Sequence, residues 1–187
     1  SPQKKYFDFS KKLIFLGKWC LSFKNSEKFL NEKDKIEIIN YHWQDLDKVE
    51  KDSEYIYECY SKILPILSEF LNKNHKLNYS QRYWEILIGP WLFKFIDYLY
   101  EKYLLIKYTS QNYENLQTET NEDSFIPYAM TDFSFLSQDD NFNFYIFNYI
   151  IKSLNLPIQT LNSYKSKNLY IVRRNKYRKQ NFIRQTK

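Results

Sequence analysis

Three short segments hold the side chains with the widest chemical reach. In Tyr41-His42-Trp43-Gln44-Asp45 an imidazole stands three residues before a carboxylate. Imidazole titrates nearest neutrality, so His42 can act as a general base, with Asp45 orienting its ring or capping a helix. The other reading has His42 hydrogen-bonded in a loop. In Arg82-Tyr83-Trp84-Glu85 opposite charges lie three residues apart, a spacing at which helical side chains meet. Arg82 can pair with Glu85, or offer its planar fork to a phosphate or carboxylate at a helix start. Glu85 can serve as a base or accept a hydrogen bond from a sugar hydroxyl; the competing reading is an ion pair buried beneath a Trp-rich core. The third segment, Phe15-Leu16-Gly17-Lys18-Trp19-Cys20, ends an apolar run on a glycine. Ligands gather at such carboxyl edges in open α/β sheets. The GxGxxG and P-loop strings are both missing, so no nucleotide fingerprint is present. His42, His75, Cys20 and Cys59 show no metal-ligand spacing, and neither a metal nor another cofactor is expected.

The composition sharpens this choice. The 187 residues include 18 Tyr, 15 Phe and 28 Lys or Arg, but 2 Gly and 4 Trp. Abundant Tyr and Phe are the background of an AT-rich coding sequence and carry little weight. The rare letters weigh more, and they fall in these three segments, the second of which continues through Ile86-Leu87-Ile88-Gly89-Pro90 to Trp91. Gly17, Trp19, Trp43, Arg82, Trp84 and Trp91 are therefore the candidate substrate-binding residues, beside His42, Asp45 and Glu85 as catalytic candidates.

With 43% hydrophobic and 27% charged residues the chain suits a packed core rather than a disordered or membrane-embedded one. Lys4, Lys5, Asp8, Lys11 and Lys12 interrupt any signal-peptide stretch. The chain opens on Ser1 with its only Met at 130, which reads as a piece excised from a longer protein. All 22 Asp and Glu lie at or before Asp140, whereas ten Lys and Arg follow it. Such a basic end suits nucleic acid, acidic lipid or an acidic protein surface, or is a solvated segment.

The elements that must position these residues are α/β in pattern. Lys12 to Gly17 and Lys35 to Tyr41 read as strands, with a short helix from Ser26 to Asn31 between them, which predicts a parallel βαβ start. A helix capped by Asp45 or Asp47 runs to Asn72, with Ile56, Tyr60, Ile63, Leu67 and Phe70 as its apolar stripe and a kink at Pro65. Ser80 caps a second, aromatic-rich helix that Gly89-Pro90 should break or bend. Gln111 to Asp123 reads as a loop and Thr131 to Phe133 as irregular. Asp139 or Asp140 caps a third helix to Leu154, with Phe144, Phe147, Ile150 and Ile151 inward, and Asn168 to Arg173 reads as a strand. Residues 1–160 form the expected α/β lobe, and 161–187 a basic tail or truncated connection.

The strings FLGKWC, YHWQD and LNYSQRYWEILIGPWL, in this order, resemble the amino-terminal part of a transferase family found in bacterial surface-polysaccharide and O-antigen gene clusters. Ile126-Pro127-Tyr128 and Ser137-Gln138-Asp139-Asp140 also fit, so the resemblance runs from residue 11 to residue 155. Members are much longer than this chain. The resemblance implies a small Rossmann-like parallel sheet with long helices, as the amino-terminal lobe of a two-lobed, GT-B-like glycosyltransferase. It implies an activated nucleotide-sugar donor held mainly by the other half, and a glycan or lipid-linked acceptor held by this one. It also implies a cytoplasmic protein at the inner face of the bacterial membrane, in peripheral contact with acidic lipid. In that setting His42 would deprotonate an acceptor hydroxyl and Arg82 would hold an anionic group on donor or carrier lipid. The competing class is a module binding nucleic acid or anions through Tyr164, Tyr170, Tyr177 and Phe182 among the terminal Lys and Arg. The rare residues cluster away from that tail, which sets nucleic acid second.

Overall fold

The computed structural model describes residues 10–21, 32–121 and 130–164. The chain forms two compact units that divide after Glu114.

In the first unit, strand β1 (Leu13–Phe15) pairs in parallel with β2 (Ile36–Ile38), Leu13 opposite Ile36 and Phe15 opposite Ile38. The Ile39 N–H donates to the Phe15 carbonyl at 2.8 Å and extends the ladder, and Phe15 and Ile39 are both buried. The parallel pairing expected from the two apolar runs is present. The helix expected over Ser26–Asn31 lies outside the described residues. Each strand leads into a single 3-10 turn at its carboxyl end, Lys18–Cys20 after β1 and His42–Gln44 after β2.

Helix α1 (Leu46–His75) starts where the sequence predicts, with Asp45 accepting from the Lys48 N–H at 3.3 Å. Its buried line is Asp52, Ile56, Leu64 and Ser68, while Ile63 and Phe70, assigned to the core from their periodicity, are exposed. The true contact line steps by fours and includes two polar residues, which an apolar pattern cannot register. Ser68 is accommodated because its hydroxyl donates to the Leu64 carbonyl at 2.7 Å.

Helix α2 (Gln81–Asn112) is capped by Ser80, whose hydroxyl accepts from the Tyr83 N–H at 3.2 Å. Neither Pro65 in α1 nor Gly89-Pro90 in α2 interrupts its helix, so of the break or bend expected at Gly89-Pro90 the break does not occur. A helical proline frees the carbonyl four residues earlier. Here those residues are Ser61 and Ile86, both exposed, so water can satisfy them. Gly89 itself is buried against α1, where a Cβ would come within 2.7 Å of the Tyr60 hydroxyl. The two helices run antiparallel, with Trp84 bonded to Asn72 near the turn and Tyr100 to Asp52 at the far end.

In the second unit, β3 (Leu116–Asn121) pairs in parallel with β4 (Ile158–Tyr164), with a register shift between Thr118 and Thr120. This corrects the loop expected over Gln111–Asp123: LQTETN lacks apolar alternation, and its strand is defined by a partner forty residues away. Helix α3 (Met130–Leu136) replaces the expected irregular stretch. Helix α4 (Asp140–Ser153) is capped by Asp139, whose carboxylate accepts from the Asn141 and Phe142 N–H groups at 2.9 and 3.1 Å. Phe133, Leu136, Phe142, Ile146, Ile150 and Ile151 are buried, whereas Phe144 and Phe147 are only half-buried. The strand expected over Asn168–Arg173 lies outside the described residues. Among those residues the chain is mixed helix and strand with two small parallel sheets, and no helix is long and apolar enough to cross a membrane.

Candidate active site at the carboxyl edge of the first sheet

The turns after β1 and β2 open onto a pocket of about 270 Å³. Lys18 and Trp19 line it from the first turn, Ile39, Asn40, Tyr41 and Gln44 from the second, and Glu101 from α2. Trp19 stands half-exposed with its ring edge-on to Tyr41, centroids 6.0 Å apart. Gly17 makes this possible, since the Trp19 ring occupies the space a Cβ at residue 17 would need.

Glu101, in the pocket lining, pairs with Lys102, the next residue of α2. Lys102 Nζ lies 2.8 Å from Glu101 Oε2, and the two side chains are 10% and 17% exposed. The same ammonium sits over two aromatic faces, 4.9 Å from the Tyr98 ring centre and 5.8 Å from that of Trp19. Asp97 lies one turn before Glu101. Burial, then the Glu101 charge, pushes its carboxyl above the usual range. Burial with the Glu101 and Asp97 charges pushes the Tyr41 phenol up to about 12, so its hydroxyl is a hydrogen-bond donor rather than a base.

His42 packs between Tyr41 and Trp43, 5.0 Å from each ring. Its Nε2 is buried and has no hydrogen-bond partner among the described residues. Burial, then the positive charge of Lys48, lowers its pKa, so the ring is held neutral. It does not line the pocket. Of the two roles expected for Asp45, orienting that ring or capping the helix, its carboxylate takes the second. Trp43 is anchored outside the pocket by a bond to Asp52 at 2.9 Å.

Gly17, Trp19, His42 and Trp43 are thus brought together, and Arg82, Glu85, Trp84 and Trp91 are placed elsewhere on the hairpin. Arg82 pairs with Glu85 at 2.8 Å in the open, with Arg82 73% exposed, so this pair is not buried beneath a core. Trp84 is buried and donates to Asn72 Oδ1 at 3.0 Å, a bond that fastens the hairpin turn. Trp91 stacks on Phe95 at 5.2 Å. The sequence reading missed Asp52, Glu101 and Lys102. One local signal existed for the last two: Asp97 and Glu101 are like charges four apart on a helix, a mildly unfavourable spacing that a nearby cation such as Lys102 relieves.

A second hollow, of about 510 Å³, lies in the other unit beside Leu116–Gln117 and Pro157–Gln159, and its lining holds no acid, base or nucleophile. Among the described residues no three His, Cys, Asp or Glu side chains form a metal site.

The profile of the LIC12162 family transferase matches residues 1–187, the whole chain. The chain belongs to this family. No match was found among curated proteins or among solved structures. In this LIC12162 family transferase the pocket between Trp19, Tyr41 and Glu101 has a carboxylate in its lining.

Proposed function

We propose that this LIC12162 family transferase moves a sugar from a nucleotide-activated donor onto a glycan or lipid-linked acceptor during bacterial surface-polysaccharide synthesis, O-antigen included. The acceptor ring sits in the pocket at the carboxyl edge of β1 and β2. The observation that carries this reading is the juxtaposition of the Trp19 and Tyr41 rings with the Glu101 carboxylate around a hollow of about 270 Å³. A pyranose offers an apolar face to an aromatic ring and hydroxyls to carboxylate and amide groups, and Asn40 and Gln44 supply the amides. The hollow is on the scale of one sugar ring. The chain has no glycine-rich phosphate loop, which agrees with a donor diphosphate held by another part of the enzyme. In this reading the parallel pair is the edge of a Rossmann-like lobe of GT-B type, working at the cytoplasmic face of the membrane.

Saturation-transfer NMR with methyl glycosides of glucose, galactose, mannose and N-acetylglucosamine tests the reading. Transfer to at least one glycoside, lost in W19A, is the expected result. No transfer to any of them overturns the pocket as an acceptor site.

A further inference from the structure

We propose that Glu101, rather than His42, accepts the proton of the acceptor hydroxyl, and that Lys102 is its positioning residue. This rests on the reading of the pocket as an acceptor site.

The side chains lining the pocket decide the matter by chemistry. The Lys18 ammonium offers only donors, and the Asn40 and Gln44 amides are not bases. The Tyr41 phenol keeps its proton. Glu101 alone among the lining side chains presents a carboxylate. His42 has the right pKa class but the wrong place: it is absent from the lining, and its Nε2 is buried behind the Tyr41 and Trp43 rings.

Lys102 fixes where that carboxylate points. Its ammonium holds Oε2 at 2.8 Å, which leaves Oε1 as the oxygen for a hydroxyl. Because the same ammonium lies over the Trp19 ring, one buried cation sets both the stacking wall and the base. Asp97, one turn away, has its own carboxyl pushed above the usual range by burial and by the Glu101 charge, and it does not line the pocket.

The step balances with a nucleotide-sugar donor. The acceptor oxygen forms a bond to the anomeric carbon of the donor while its proton passes to Glu101. The bond from that carbon to the phosphate oxygen breaks, and the nucleoside diphosphate leaves with the electron pair.

The test uses the full-length protein with UDP-glucose, UDP-galactose, UDP-N-acetylglucosamine and GDP-mannose, each with the methyl glycoside that binds best, and reads nucleoside diphosphate release. E101Q should lower release by about a hundredfold or more, the range of lost general-base catalysis, while the glycoside Kd moves by less than about threefold. K102M should lower kcat by about tenfold with little change in KM, as expected for a misaimed base. E101Q strands a buried ammonium, so the double variant E101Q/K102M separates misfolding from chemistry: the loss must persist in it. Wild-type release by E101Q, or loss in H42Q instead, overturns the assignment of the base and leaves the pocket reading standing. Glycoside binding with no release from any donor overturns the transfer step. If no glycoside binds, the pocket reading falls and this proposal falls with it.

Discussion

The indole N–H of Trp43 donates to Asp52 Oδ2 at 2.9 Å, which joins the turn after β2 to the first long helix. The second helix reaches the same carboxylate: the Tyr100 hydroxyl donates to Oδ1 at 3.0 Å, and Lys48 Nζ lies 2.9 Å from Oδ2. Asp52 is buried, and it satisfies three donors from three elements. The pocket wall at Tyr41 therefore stands on a polar node rather than on apolar packing alone.

Replacing Asp52 should be costly. D52A leaves three donors without their acceptor and should lower stability by about 3 kcal/mol, with D52N losing less because one oxygen remains. Urea unfolding of the three proteins measures both differences.

The same residue makes the fold acid-sensitive. Burial by itself would raise the Asp52 pKa, but the hydrogen bonds from Lys48, Trp43 and Tyr100 outweigh it and hold the carboxyl below its usual range. A group depressed in the fold contributes stability that is complete above its unfolded pKa, about 3.9, and is lost as pH falls through the folded value. Unfolding free energy should therefore drop below about pH 4 in the wild type, and less steeply in D52N.

His42 should act at milder pH with the same sign. Its folded pKa is lowered by burial and by Lys48, so the neutral ring is the one the fold accepts. Stability should be complete above about pH 6.5, the unfolded value, and decline on acidification from there. H42Q, which cannot take up a proton, should flatten that stretch of a stability-against-pH curve.

The hairpin turn depends on one amide. Asn72 accepts from the Tyr79 N–H and the Trp84 indole, both at 3.0 Å, and donates to the Tyr79 carbonyl at 2.8 Å. N72A should cost about 2 kcal/mol, since the buried indole loses its acceptor. R82A, which breaks only an exposed pair, should cost less than about 0.5 kcal/mol. Denaturant titration of both variants checks the contrast.

At Gly17 the objection to a side chain is steric. The backbone there is extended, with φ at 170°, so alanine meets no conformational barrier, but its methyl would occupy the Trp19 ring. G17A should displace Trp19 from Tyr41, cost about 1–3 kcal/mol as overpacking does, and weaken glycoside binding in the saturation-transfer experiment.

Much of this was legible in the chain. The cap at Ser80 was readable outright, and those at Asp45 and Asp139 as one of two candidates each, beside Asp47 and Asp140, because a cap is a contact between a side chain and the backbone two or three residues on. The parallel start was readable because LIF and IEI are short apolar runs near each other in sequence. Gly17, Trp19 and Trp43 were picked out as rare letters and His42 for its imidazole, and they do meet at one sheet edge. Arg82 and Glu85 were picked out by their charges three residues apart and form an exposed pair at the other end of the hairpin, since spacing along a helix shows who can touch but not what lies opposite.

What only the tertiary structure decided are the contacts of long range in the sequence. The strand LQTETN exists because Ile158–Tyr164 pairs with it. Asp52 and Ser68 lie on the buried line of α1 because each finds polar partners that no hydropathy pattern contains. Glu101 becomes a pocket carboxylate only when α2 comes back beside the turns that follow β1 and β2, some sixty to eighty residues earlier in the chain. Local propensity and capping depend on neighbours in sequence and can be read there. Burial, the pairing of Lys102 with both Glu101 and Trp19, and the raised pKa of Asp97 depend on which surfaces exclude water together, and that is settled only when the helices pack.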